Sequence, residues 1–300
     1  MNITWSEYNS NLKKRGNITF WLCDDLKDVW LSTEKVRGTG KTQIYSEKAI
    51  EICLTLRAVF RLPLRQTQGF VESLLEMAGF DLKAPNYSTL SRRAEDFDIV
   101  LRAASDTAPI EIAVDGTGLK VFGEGEWKVR THKVGKRRTW RKLHIGINTA
   151  TLEIVAAVAT EANMADSEVV EDLLIQVEEP VTRFLADGAY DTNSCYESCH
   201  KRGIEVVVPP RKDAVFDTNN AYERNLNVVE INQCEDRKAW KVKRGYHKRS
   251  LAETAMYCLK TIFGGTLRSR KFAMQATEML LRCQIYNQMR KLDIDAAVKT

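Results

Sequence analysis

The stretch Y-H-K-R-S-L-A-E-T-A-M-Y-C-L-K, Tyr246 to Lys260, carries the reading of the fold. Ser250 to Phe263 is dense in Ala, Leu, Met and Glu, which favour helix. Tyr246, Arg249, Glu253 and Lys260 stand at relative positions 0, 3, 7 and 14. From Arg249 onward these are helical intervals, so Arg249, Glu253 and Lys260 share one face. A carboxylate between two cations on one face is either a metal ligand beside phosphate-binding side chains or a plain ion pair.

Two more acids have related settings. The apolar, β-rich run Ile110 to Val114, broken at Glu111, ends in Asp115-Gly116, and Val181 to Ala186 ends in Asp187-Gly188. Both read as strands that finish on a carboxylate. Functional groups gather at the carboxyl ends of strands in α/β proteins, although Asp before Gly is also an ordinary turn former. Three such carboxylates suggest divalent-metal binding, since Mg²⁺ takes oxygen ligands. A pair of ions activates an attacking oxygen and stabilises a leaving one.

These residues resemble the DDE transposases of bacterial insertion sequences, the group with the pattern Y-(2)-R-(3)-E-(6)-K, matched here at Tyr246, Arg249, Glu253 and Lys260. The blocks D-G-T-G-L-K-V-F-G-E-G-E-W-K-V from Asp115 and A-D-G-A-Y-D-T from Ala186 are similar to that family too. So are R-G-N-I-T-F-W from Arg15 and P-P-R-K from Pro209, and the likeness runs from about Trp5 to about Ala273. It implies an α/β, RNase H-like mixed sheet with flanking helices, preceded by an all-helical N-terminal DNA-binding region. It implies Asp115, Asp187 and Glu253 as catalytic ligands of two Mg²⁺ ions, with Mn²⁺ as a substitute. Tyr246, Arg249 and Lys260 would hold DNA near the cut. The implied activity is binding of terminal inverted repeats, hydrolysis at the element's ends, and joining of the 3′-OH to target DNA by transesterification. Cutting both ends implies at least a dimer. The rivals are an endonuclease that does not join and a transposase-derived regulator. The mark expected of the regulator is loss of an acid, and all three are present.

The 300 residues allow two domains, expected at 1–108 and 109–300. Hydrophobic content of 44% and charged content of 28% are those of a soluble globular protein. No stretch approaches a membrane span, and the N-terminus lacks the pattern of a signal peptide, so a cytoplasmic location is expected. Seven cysteines, odd in number and irregularly spaced, read as reduced thiols. Cys195 and Cys199, one helical turn apart, read as a core-facing stripe rather than a zinc site with His200. The net charge of +5 suits nucleic acid, and its distribution is more telling. Lys128, Arg130, Lys133, Lys136, Arg137, Arg138, Arg141 and Lys142 fall in one run with His132 and no acid. Such a run is expected to contact the DNA backbone.

In the first domain, R-G-T-G-K-T at Arg37 to Thr42 is not a phosphate loop, because the first glycine would fall at Lys35 and no strand precedes it. No nucleotide cofactor is expected. Helices are expected from Ser46 to Phe60, from Pro63 to Gly79 and from Tyr87 to Ala94, the first two followed by the third as a helix-turn-helix. Its final helix would offer Ser88, Thr89, Arg92 and Arg93 to a groove. In the second, the expected order is β-β-β-α-β-α-β-α. Asp191 is expected to cap a helix, and His132 and His144 to touch phosphate at most. Residues 209–245 are expected as an irregular, basic, DNA-facing loop with Trp240 packed beneath it, and the tail from Phe272 to Asp293 as helix.

Overall fold

The computed structural model describes residues 4–22, 25–32, 44–101, 108–122, 139–218 and 222–298. Its centre is β1 (Ile110–Val121), flanked by β2 (Trp140–Asn148), β3 (Ile154–Glu161), β4 (Val181–Leu185), β5 (Glu205–Val207) and the short β6 (Thr266–Leu267). The strand order is β3-β2-β1-β4-β5. The first three strands are antiparallel neighbours, and β1, β4 and β5 are parallel. With helices on both faces, this mixed sheet is RNase H-like.

One expectation about β1 needs correcting. The strand does not finish at Asp115 but runs six residues further, to Val121. Gly116 to Lys120 pair with β2, and Lys120 and Val121 pair with β6. D-G-T-G carries turn chemistry in isolation, but the ladder with β2 runs through it and holds it extended.

Alternation along β1 assigns the two faces. Ile112 and Val114 pack with Phe184 and Val206 against α6 (Val170–Ile175) and α7 (Asn193–His200), where Cys195 and Cys199 are fully buried. Ala113, Leu185 and Val207 face α10 (Ser250–Phe263) and α11 (Phe272–Val298), which contribute Ala252, Met256, Leu259 and Met279. The catalytic helix expected from Ser250 to Phe263 spans those residues.

The N-terminal region is helical: α1 (Trp5–Arg15), α2 (Leu26–Val29), α3 (Glu47–Val59), α4 (Leu64–Met77) and α5 (Tyr87–Arg93). Ser46 caps α3 by accepting from the Ala49 amide at 3.0 Å, and Asn86 caps α5 through the Ser88 amide. The basic patch at Lys13 to Arg15 ends a helix opened by a Thr4–Glu7 capping box. Arg15 pairs with Asp293 of α11 at 2.8 Å. Ile50, Leu54 and Leu90 belong to the same core as α10 and α11, so the helical region shares its apolar interior with the sheet.

Residues 209–245 are not an irregular loop throughout. They contain α8 (Tyr222–Gln233) and α9 (Arg237–Lys243). Asp236 caps α9, and Val228 and Trp240 anchor the pair in the interior. The high polar content reflects outward faces, and it hid two short amphipathic helices. No helix among the described residues is long and apolar enough to cross a membrane.

Candidate active site

Asp115 shares the parity of Ala113, so its side chain rises on the α10 face of the sheet. There its Oδ2 accepts from Arg249 Nη1 at 3.1 Å, while Oδ1 accepts from the Gly116 amide at 2.8 Å. The other guanidinium arm, Nη2, donates to Glu253 one helical turn along. Arg249 thus bridges an acid in mid-strand and an acid on the helix. Asp115 and Arg249 are largely buried, whereas Glu253 is 54% exposed.

Asp187 follows β4 and has the matching parity. Its Oδ1 caps the turn Gly188–Tyr190 by accepting from the Ala189 amide at 2.8 Å. Its Oδ2 makes no hydrogen bond among the described residues. The Asp115 carboxyl is pushed above its ordinary pKa, first by burial. The Gly116 amide and Arg249 oppose that rise, while the negative charges of Asp187 and Glu253 add to it. The three acids therefore act on one another through space. Among the described residues, no group of three or more His, Cys, Asp or Glu side chains is gathered closely enough to form a ready metal cage.

A charged lattice fixes the approach of Arg249. Gly245 adopts φ +61°, which turns the chain out of α9 into the tight turn Tyr246–Arg249. Arg183 of β4 binds Glu111 and Glu205, each at 3.0 Å, and donates to the Arg244 carbonyl. Lys248 also reaches Glu111. Tyr246 packs beside Trp240, with Lys241 and Arg249 over its ring. Burial pushes its phenol up to about 12, so it stays a neutral donor. Lys260 is exposed and has no hydrogen bond or ion pair among the described residues.

Behind Asp115, on the other face, lies an arrangement that the sequence does not announce. Asp166 Oδ1 stands 3.1 Å from Lys142 Nζ and 3.3 Å from His144 Nδ1. A Cβ at Gly116 would come within 2.7 Å of that same oxygen. Tyr190 is 1% exposed, and its hydroxyl has no hydrogen bond among the described residues. Burial pushes its proton affinity upward, followed by the charges of Asp166, Asp115 and Asp187. The only sequence signal for Asp166 is its place before a helix.

Several expected contacts fall elsewhere. His144 is fully buried and hydrogen-bonds Thr160 at 2.9 Å, so it is not a phosphate contact. Burial lowers its pKa to about 4. Asp191 does not cap α7, since Thr192 does. Asp191 instead clamps Arg224 with both oxygens and accepts from the Arg211 amide. Arg141 is held by Gln275 and the Phe272 ring, and Lys142 by Met164 and Asp166. Lys128, Arg130, His132, Lys133, Lys136, Arg137 and Arg138 lie outside the described residues, as does R-G-T-G-K-T. On α5, Ser88 is exposed with its hydroxyl on Asn86, Thr89 is half-buried, and Arg92 is exposed without an ion pair among the described residues. Arg93 is turned inward, to Glu47 and the Tyr45 carbonyl.

The family comparison meets this geometry directly. A family model described as "Transposase DDE domain" matches residues 106–288, more than half of the chain, and a second of the same description matches residues 13–124. The chain belongs to the DDE transposases. The transposase is thus a DNA-processing enzyme of a family that works with divalent metal ions. Among solved structures, it is similar to the piggyBac transposase in a synaptic complex with hairpin DNA, at 9% identity and a TM-score of 0.45. That match covers 96% of this chain and 76% of the other.

Proposed function

We propose that this chain is an insertion-sequence transposase that cuts the ends of its element and joins them to target DNA, with Asp115, Asp187 and Glu253 as the catalytic carboxylates. The observation that carries this reading is the Arg249 bridge. One guanidinium spans Asp115 and Glu253, while Asp187 perturbs Asp115 from the neighbouring strand. An acid from the central strand and one from the helix share this cation, and Asp187 is close enough to act on the first of them.

The donor set fits a hard divalent cation, since it is all carboxylate oxygen and already attracts positive charge. Asp115, Asp187 and Glu253 would hold two Mg²⁺ ions, with Mn²⁺ able to replace them. Bound there, such ions polarise a phosphate and make water or a sugar hydroxyl a better nucleophile.

The chain's own groups do the rest. Arg249 and Lys260 orient phosphates near the scissile bond, Arg249 by its planar fork and Lys260 as a point charge. Tyr246 supplies a neutral hydroxyl close by. In the first step, a water oxygen bonds to phosphorus, the P–O3′ bond breaks, and the element end is left with a 3′-OH. In the second, that 3′-OH bonds to a target phosphorus and a target P–O3′ bond breaks. Each step exchanges one phosphoester bond for another or for water, so no ATP is required. The α4–α5 helix-turn-helix would read the terminal repeats, with Ser88 and Arg92 exposed and Thr89 half-buried beside them. Cutting two ends together calls for at least a dimer.

The test is incubation with sequence flanking the reading frame, target duplex and Mg²⁺, with products resolved strand by strand. Joined products that need a free 3′-OH donor are expected. Hydrolysed ends without joining would leave a nuclease and refute the transfer step.

A further inference from the structure

A second concentration of unmatched charge lies away from the carboxylates. Arg57, Arg61, Arg268 and Arg282 line a cavity of about 30 Å³ at the junction of α3, the end of α10 and α11. Glu278 is the one acid on its wall. Its Oε1 accepts from the Arg268 amide and Arg282, and its Oε2 from the amides of Arg268 and Ser269 and from the Ser269 hydroxyl. Those five bonds use its acceptor capacity. Arg282 is therefore compensated, and it also donates to the Gly264 and Thr266 carbonyls. Arg61 spends its guanidinium on the Thr261 and Ile262 carbonyls that close α10.

Arg57 and Arg268 are left over. Arg57 is partly buried, its Nε has no partner, and its guanidinium forms no hydrogen bond or ion pair among the described residues. Burial lowers its proton affinity; the charge of Glu278, already committed to five hydrogen bonds, opposes that fall, and Arg268 and Arg282 add to it. The Arg268 side chain is exposed and likewise unpaired. A partly buried cation among other cations is costly until an anion meets it. The cavity holds about two water-sized groups, enough for phosphoryl oxygens but not for a base.

We propose that Arg57 and Arg268 form a binding site for a backbone phosphate of the DNA end whose terminus lies at Asp115, Asp187 and Glu253. This rests on the transposase reading above. The geometry gives the strand's direction. From Arg249, the outward face of α10 passes Lys260, and the helix ends at the buried Phe263, which lines the cavity. Arg249 to Lys260 is about 16 Å of helix, or about five base pairs of duplex laid alongside. The α10 helix thus acts as a ruler between the cut and a phosphate anchored at the edge of the N-terminal helices.

The experiment compares wild type, Arg57→Gln, Arg268→Gln and the double variant. Binding to a duplex of the flanking sequence, and to a scrambled duplex of equal length, is measured by anisotropy across a salt series. The double variant is expected to lose about 5–10-fold in affinity at ~0.1 M salt, with the log–log salt slope shallower by about one unit per lost contact. Uncharged methylphosphonate linkages, scanned along the duplex, should weaken wild type at a position about five base pairs or slightly more from the cut and leave the double variant unaffected there. Arg268→Gln is exposed and tests the site even if Arg57→Gln fails to fold. Unchanged slopes in folded variants would overturn the proposal. So would loss of thermal stabilisation by inorganic phosphate with the DNA slope intact, because the site would then serve a free anion. Failure of the wild type to bind either duplex would instead strike the transposase reading itself.

Discussion

Gly116→Ala probes whether the packing behind Asp115 sets the geometry in front of it. The added Cβ would stand 2.7 Å from Asp166 Oδ1 and 3.1 Å from His144 Nδ1. Against an ordinary contact of 3.4 Å, the first gap is short by 3.4 − 2.7, about 0.7 Å. His144 cannot yield, being fully buried and pinned by Thr160. Asp166 can swing outward only by leaving Lys142 and His144. Overpacking of this size costs about 1–3 kcal/mol, and the lower entropy of an unfolded chain with Ala in place of Gly returns about 0.4–1. The expected loss of stability is thus about 1–2 kcal/mol, by urea denaturation. The larger effect should be on cleavage. Asp115 is the adjacent residue, and a shift approaching 1 Å in a catalytic group costs on the order of 100-fold. Removing the obstacle with Asp166→Ala in the same chain should recover much of that activity, with a coupling of about 1 kcal/mol or more. Full activity and stability in the single variant, or a double variant no better than the single, would refute the reasoning.

Three further outcomes are expected. His144 has a depressed pKa of about 4 against 6.5, so its contribution to stability is complete above pH 6.5 and lost as pH falls towards 4. That amounts to about 2 kcal/mol between pH 7 and pH 5, and a His144→Asn variant should lack this part of the pH dependence of unfolding. Asp187→Asn should reduce strand cleavage by more than about 100-fold, roughly 3 kcal/mol of transition-state stabilisation, while leaving end binding largely intact. Near-wild-type cleavage would remove Asp187 from the centre. Arg92→Ala should weaken binding to element ends by about 1–3 kcal/mol at matched salt, and an unchanged isotherm would end the recognition-helix assignment.

What the sequence reveals follows the range of the physics involved. The helix Ser250 to Phe263 was legible because helix formers and the Arg249–Glu253 spacing act within a few residues. The α3, α4 and α5 helices were legible for similar reasons, through Ser46, Pro63 and Asn86 at their starts. The strand end assigned to Asp115 was not right, because a local turn preference at D-G-T-G lost to pairing with β2, and β6 holds the strand further along at Lys120 and Val121. Asp166 could not be found at all. Its relation to Gly116 and His144 exists only once β2 and β3 are side by side, and its one local signal is that of a helix start. The α8 and α9 helices were missed because each buries few side chains, Val228 and Trp240 chief among them, within a polar sequence.

The chemistry of the centre turns on a shortage of positive charge. Two carboxylates, Asp115 and Glu253, share one guanidinium, and Asp187 adds a third negative charge that acts on Asp115. Asp115 shows the result, because burial together with Asp187 and Glu253 outweighs Arg249 and raises its hold on a proton. A hard dication, as proposed, would supply the positive charge that this set of carboxylates lacks. The same guanidinium has a fixed geometry. Nη1 is turned to Asp115 and Nη2 to Glu253, so its fork is already spanning two acids. Two of its five N–H donors are engaged in this way, and the other three remain for a phosphate. On the proposed reading, cations held by the carboxylates would also loosen Arg249 from Asp115 and Glu253 and so make more of its fork available to DNA. Arginine at position 249 places its two contacts on separate nitrogens held in one plane, a fixed fork that a lysine's single ammonium does not have.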